Sequence, residues 1–187
     1  MSMNGSIKRL KSNKIYENPW MKVREDIVLF PDGHEGIFSV VERGDFALII
    51  PFEDNCFYLV KQYRYSIGKS TWEFPQGRHE ENPKISGEEL ARLELKEETG
   101  LKAKHFKQLG ILDIAPGYSN QKFMVFLATE LTITQAHPDS TEAIEDVKKM
   151  PIATFEEMIN SGKITNAVTV SAYGLLKAQW SNKVAII

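Results

Sequence analysis

One helix in this sequence is marked at both ends, and what flanks it limits the folds available. Ser86, with Glu89 three residues on, has the form of a capping box, and Gly100 supplies a stop, so the spacing predicts a helix from about Gly87 to Glu98. Both flanks read as β-strand. Upstream, residues 20–29 nearly alternate in polarity, Pro31-Asp32-Gly33-His34 is a turn and residues 36–42 are a return strand, which predicts a hairpin. Residues 46–50 and 57–60 are short apolar strands parted by the turn residues Glu53-Asp54-Asn55, and 71–74 are a further candidate. Downstream, strands are expected around 106–112 and 122–127. Residues 75–86 and 135–142 read as loops. Thr154 and Glu157 have the form of a second capping box, for a short helix stopping near Gly162, and a last helix is expected over 166–180.

Strands, one helix, more strands and then terminal helices suit an α/β chain with a mixed sheet flanked by helices. The early hairpin would be marginal alone. Residues 1–43 are therefore expected to form a small antiparallel sheet that packs on the main domain, 44–187, or on a second subunit. A chain of 187 residues is long enough for one well-buried domain and a small appendage.

Charge and cysteine content narrow the function classes. The formal net charge is -2 and no run of five like charges occurs, which argues against a general nucleic-acid backbone binder. Cys56 is the one cysteine, so neither an internal disulfide nor a paired-cysteine metal site is available, and a buried, inert thiol is expected. The polar start Met1-Ser2-Met3-Asn4-Gly5 leads into no apolar h-region, and no apolar stretch approaches the ~20 residues that span a bilayer. A cytoplasmic location is the default expectation.

The predicted helix carries the chemistry. At 3.6 residues per turn Glu94, Glu97 and Glu98 sit at about 0°, 300° and 40°, all within roughly 100° of one face. Carboxylates so close repel one another, and a hard divalent cation with oxygen ligands would neutralise them. A solvated acidic helix face is the alternative reading. Ala91 and Leu95 lie beside the cluster, so the carboxylates border an apolar face and are not centred on the solvent side.

Residues 77–101 resemble the box of the Nudix hydrolase superfamily, Gly-x5-Glu-x7-Arg-Glu-U-x-Glu-Glu-x-Gly-U with U apolar. The closing half is Leu93-Glu94-Leu95-Lys96-Glu97-Glu98-Thr99-Gly100-Leu101, which departs only in having Leu93 at the arginine. The opening half is looser: Gly77 stands two residues too far upstream and Ile85 holds the position of the first glutamate. An arginine at 93 would lie one turn before Glu97 and could pair with it. Arg92 points about 100° further round the helix, which leaves Arg78 as a candidate replacement.

Further segments are similar to the ADP-ribose and nucleoside diphosphate sugar pyrophosphatase branch of that superfamily. They are Gln62-Tyr63-Arg64, Glu73-Phe74-Pro75-Gln76-Gly77, Ala115-Pro116-Gly117-Tyr118-Ser119 and Gly162-Lys163-Ile164-Thr165-Asn166-Ala167. The resemblance covers about residues 17–178 and implies a Nudix-type α/β/α sandwich. Phe74-Pro75-Gln76-Gly77 is also similar to a segment of nucleotide-polyphosphate and RNA 5′-end pyrophosphohydrolases, which keeps the substrate open.

The resemblance implies metal-dependent hydrolysis of ADP-ribose or a related nucleoside diphosphate sugar to a nucleoside monophosphate and a sugar phosphate. A dinucleotide or nucleotide-polyphosphate pyrophosphohydrolase is one alternative, and a non-catalytic nucleotide-binding Nudix protein is another. It implies Mg²⁺, with Mn²⁺ as a substitute, held by Glu94, Glu98 and the backbone carbonyl of Gln76, with Glu97 as a ligand or an outer group. Glu142 fits the slot of the general base, with a solvated loop glutamate as the other reading. Arg64 is the candidate phosphate-binding cation, or else a surface arginine ending a strand. Trp20 would stack on the base, or else belong to the hairpin or a dimer interface. Glu73 would bind the ribose or adenine side, or simply pair with Arg64, and Tyr118 would line the terminal-sugar pocket. The branch implies a homodimer built through the N-terminal sheet, with no nucleic-acid or membrane partner. His34, His79, His105 and His137 have no metal-like spacing and no assigned role.

Overall fold

The computed structural model describes residues 6–78, 85–134 and 143–181. They divide into two compact units: residues up to Asp45 together with Asp113–Lys122, and Phe46–Leu112 together with the chain from Phe123 onward.

The first unit is a three-stranded antiparallel sheet of β1 (Lys8–Glu17), β2 (Lys22–Leu29) and β3 (Glu35–Glu42), in that order. The expected hairpin is β2–β3, in continuous register from Lys22 opposite Glu42 to Leu29 opposite Glu35. Gly33 turns it at φ 92°, a conformation that costs a residue without Cβ little. β1 has no counterpart in the sequence reading. Nine of its ten side chains are exposed, so its sequence carries no period-two burial signal, and its pairing with β2 is what makes it a strand. The other flank of β3 receives residues 113–122. Val41 N donates to Tyr118 O at 2.8 Å, Ser119 Oγ donates to Val41 O at 2.9 Å, and Gln121 Nε2 donates to Gly44 O at 2.7 Å.

The second unit holds the mixed sheet. Its strands are β4 (Phe46–Glu53), β5 (Cys56–Arg64), β6 (Lys69–Glu73), β7 (Gln76–Gly77), β8 (Leu101–Asp113), β9 (Lys122–Ile133) and β10 (Ile144–Pro151). The order is β10-β5-β4-β9-β8, with β6 paired to β5 and β7 to β4. β4 runs parallel to β9 and antiparallel to β5 and β7. Helix α1 (Gly87–Thr99) follows β7, and α2 (Ile152–Asn160) and α3 (Ala167–Ser181) follow β10. Asp54 and Asn55 join β4 to β5 with φ of 51° and 57°, as a tight type I′ hairpin requires. Among the described residues no helix is long and apolar enough to cross a membrane.

β4 is buried on both faces, which is why its sequence is a continuous apolar run. Phe46, Leu48 and Ile50 face an aromatic core of Phe57, Phe74, Phe123, Phe155 and Tyr173, closed by α2 and α3. Ala47 and Ile49 face Leu90, Ala91 and Leu95 of α1. Phe57 is the hub of the first core, with Phe74, Phe155 and Tyr173 ring centroids at 5.4, 5.3 and 5.7 Å, mostly edge-on. Glu156 ties α2 to α3, accepting from Tyr173 Oη and Lys177 Nζ, each at 2.6 Å. Lys177, and then Tyr173, hold the Glu156 carboxyl below the usual range, while burial chiefly pushes the Tyr173 phenol up.

Two local expectations are corrected. The capping box at Thr154 and Glu157 does not form: α2 begins three residues earlier than that cap implies, at Ile152, with Pro151 at its N-cap and no side-chain cap bond. Pro151 has no N–H to satisfy and a preset φ, so it can stop β10 and start the helix in one residue. Cys56 is half-buried at the start of β5 instead of enclosed in the core. The expected strands at 106–112 and 122–127 are the later part of β8 and the first half of β9, both of which run longer.

Phe57→Ala would empty the centre of the aromatic core. It is expected to destabilise the protein by about 3–5 kcal/mol, read as a lowered urea midpoint with an unchanged m-value.

Candidate functional site

The acidic helix is held at both ends as its sequence specifies. Ser86 Oγ accepts from Glu89 N at 3.2 Å, the Glu89 carboxylate reaches back to Ser86 N, and Gly100 closes the helix at φ 69° with its N–H on Lys96 O at 2.9 Å. Fixing both ends fixes the rotation of the helix over the sheet. Leu90, Ala91 and Leu95 then face Ala47 and Ile49, and Glu94 and Glu98, one turn apart, are carried inward with them.

Both carboxylates are nearly enclosed, at 6% exposure for Glu94 and 1% for Glu98, while Glu97 on the next flank is exposed. They rest against β7. Gln76 N donates to Glu98 Oε2 at 3.0 Å. Gly77 lies against the Glu94 carboxylate so closely that a Cβ there would overlap it. β7 is placed for this by its own pairing, Ala47 opposite Gly77 and Leu48 opposite Gln76, and by Ile49 N donating to Pro75 O at 2.9 Å. β5 pairs with β4 only at Phe52 and Glu53, which leaves that stretch of the β4 edge to β7.

A second polar cluster lies on β5 and β6. Trp72 and Phe74 turn toward the aromatic core, so Glu73 between them takes the opposite face, the one that α1 covers. Glu73 is 0% exposed. It accepts from Arg64 Nε at 3.1 and 3.2 Å, from Arg64 Nη2 at 2.6 Å, from Gln76 Nε2 at 2.7 Å and from Thr71 Oγ1. A buried carboxylate supplied with this many donors is fully solvated by protein. Gln76 thus touches both groups, Glu73 by its side chain and Glu98 by its backbone. Nothing in the sequence pattern marks that side chain; strand pairing brings it there.

The region of the missing box arginine is filled otherwise. Leu93 lines a cavity of about 530 Å³ between α1 and β8 with Ile85, Ala103 and Phe106. Arg92 turns away from the acidic face: it pairs with Glu88 at 2.8 Å, donates to Ala103 O at 3.2 Å and lies 4.3 Å over the Phe106 ring. Arg78 is half-buried just past β7. In the first unit Trp20 is 57% exposed in the β1–β2 turn, and Tyr118 is 61% exposed. Glu142, His79 and His137 lie outside the described residues. His34 and His105 make surface contacts with Asp32 and Glu130.

Among the described residues no three acidic, histidine or cysteine side chains gather to enclose a metal ion by themselves. Glu94 and Glu98 nonetheless suit a hard divalent ion. They offer oxygen donors only, they are buried one turn apart, and the absent side chain of Gly77 leaves the room that they occupy.

Residues 7–41 match the nucleoside diphosphate sugar hydrolase N-terminal domain, and residues 41–168 match the NUDIX domain. An ADP-ribose pyrophosphatase of Mycobacterium tuberculosis is 31% identical over 169 residues, which are 87% of this chain and 79% of that protein. A methanol dehydrogenase activator of Bacillus methanolicus is 27% identical over 177 residues, 92% of this chain and 93% of that one. A crystal structure of an ADP compounds hydrolase superposes with a TM-score of 0.83 over 95% of both chains at 22% identity, a likeness of fold.

Ser86→Ala would remove the cap that sets the rotation of α1. It is expected to cost about 1 kcal/mol, seen as a Tm lower by roughly 2–4 °C in a thermal melt.

Proposed function

This chain belongs to the NUDIX family of pyrophosphohydrolases, and from that premise we propose that it hydrolyses ADP-ribose or a related nucleoside diphosphate sugar. The products would be a nucleoside monophosphate and a sugar phosphate. The observation that carries this reading is the pair of buried carboxylates, Glu94 and Glu98, on the sheet face that also holds the anchored guanidinium of Arg64. A cation-binding pair and a fixed cation on one face suit a substrate with two adjacent phosphoryl groups.

In this reaction a water oxygen adds to one phosphorus, the bridging oxygen leaves with the other phosphate, and the water gives up a proton. Glu94, Glu98 and the Gln76 carbonyl would hold Mg²⁺ or Mn²⁺, with the exposed Glu97 as a further ligand or an outer group. That cation supplies positive charge to the diphosphate and lowers the pKa of a bound water. Arg64 would bind a phosphate, oriented by Glu73. Glu142 would take the proton. Arg78 is proposed to contact substrate, Trp20 to stack on the base and Tyr118 to border the terminal sugar. A homodimer is proposed through the three-stranded sheet, which exposes Ile7, Leu10, Ile15, Tyr16 and Ile37. A cytoplasmic site of action suits the lone, unpaired cysteine.

Leu93 at the box arginine is the observation that favours a second reading, a nucleotide-binding protein that does not cut its ligand. A dinucleotide or nucleotide-polyphosphate substrate is the third. With Mg²⁺, the protein is expected to release AMP and ribose 5-phosphate from ADP-ribose, and EDTA should stop the release. Product from dinucleotides alone would support the third reading, and tight binding without product under any divalent ion the second. Glu98→Gln should lower turnover by about 100-fold or more with the circular dichroism spectrum unchanged; undiminished turnover would take Glu98 out of the reacting centre.

A further inference from the structure

Gln76 stands where two networks meet. Its backbone N–H reaches Glu98 at 3.0 Å and its side-chain amide reaches Glu73 at 2.7 Å. Glu73 in turn holds Arg64 through Nε and Nη2. The strand that Gln76 opens is only two residues long, yet Glu98 bonds to its first residue and Glu94 packs on its second. A strand this short has two bridging positions on β4 to hold it. The Gln76 amide is an additional tie, and it runs to a side chain that is itself wholly buried.

We propose that the Gln76 side chain is a positioning group: it ties β7, the strand against which Glu94 and Glu98 of α1 rest, to the same buried carboxylate that orients Arg64, and so fixes the spacing between the metal-binding pair and the phosphate-binding cation. The proposal rests on the pyrophosphohydrolase reading for what that spacing serves. The amide acts through geometry alone. It does not touch the reacting atoms, and its effect reaches them through β7.

Gln76→Met keeps the length of the side chain and removes the donor. Three quantities are compared with those of the unaltered protein: Mn²⁺ affinity by calorimetric titration of substrate-free protein, KM for ADP-ribose, and Tm. The expected result is Mn²⁺ binding weaker by about tenfold, with KM within about twofold and Tm lower by only a few degrees. Gln76→Asn, too short to reach Glu73, should behave as the methionine variant does. Glu73→Gln should differ from both, weakening Mn²⁺ binding and raising KM together, because it loosens β7 and Arg64 at once. Wild-type Mn²⁺ affinity in Gln76→Met would overturn the proposal. So would a loss of affinity that merely tracks a fall in Tm across the two Gln76 variants, which would make the amide a structural tie only. If the unaltered protein binds Mn²⁺ but leaves ADP-ribose uncut, the substrate reading fails while the titration still decides the role of Gln76.

Discussion

Two carboxylates taken out of water within one helical turn of each other are the constraint on which the functional end of this molecule depends. Ionised carboxylates are expensive to bury, and a pair of like charge more so. Three features make their burial possible here. The Gln76 N–H meets one of them, the missing side chain of Gly77 makes room for the other, and a helix fixed at Ser86 and Gly100 keeps them one turn apart. Each feature depends on the others. A helix rotated by one residue would point Glu97 at the strand, and a side chain at 77 would push Glu94 off it. The arrangement concentrates negative charge, and the apolar packing of Leu90, Ala91 and Leu95 against β4 is what keeps it in place.

Much of this was legible in the sequence, for local reasons. The capping box and glycine stop of α1 act within a few residues of themselves, and the helical period put Glu94 beside Leu95. The apolar run of β4 and the Asp-Asn hairpin after it carry equally local signals. Failures came where pairing partners decide the outcome. β1 offers no period of its own and exists as a strand through β2. Residues 113–121 fall between two expected strands, and their place along β3 follows from bonds to Val41 and Gly44, 78 and 77 residues away in sequence. Thr154 and Glu157 have cap chemistry at cap spacing, but Pro151 starts the helix earlier and leaves Thr154 inside it. Within the site, the helical period grouped Glu94, Glu97 and Glu98 on one face, and the packing of α1 separates the exposed Glu97 from the other two. The double role of Gln76 could not be picked out, because its backbone bond to Glu98, 22 residues on, depends on β7 pairing with β4.

The departure at Leu93 shows how a family signature can change without loss of the carboxylates. An arginine there would add a cation beside the acidic face. The leucine adds apolar surface beside Ile85 and Phe106, and the neighbouring Arg92 settles on Phe106 and Glu88. On the strand side, the Gln76 N–H meets Glu98 and the bare Cα of Gly77 makes room for Glu94.

β4 separates two very different interiors by the thickness of one strand. On one side lie interlocking aromatic rings, on the other a helix that brings acid groups into the protein. Side chains alternate along the strand, so neighbouring residues of β4 belong to different interiors. Improvements in heat resistance can therefore be sought at Ile50, among the rings on the face turned away from α1. At Ile49, one residue away, or at Ala47, the same exercise would shift the seat of α1. A designer choosing positions along this strand has odd and even numbers as a working guide to which property will respond.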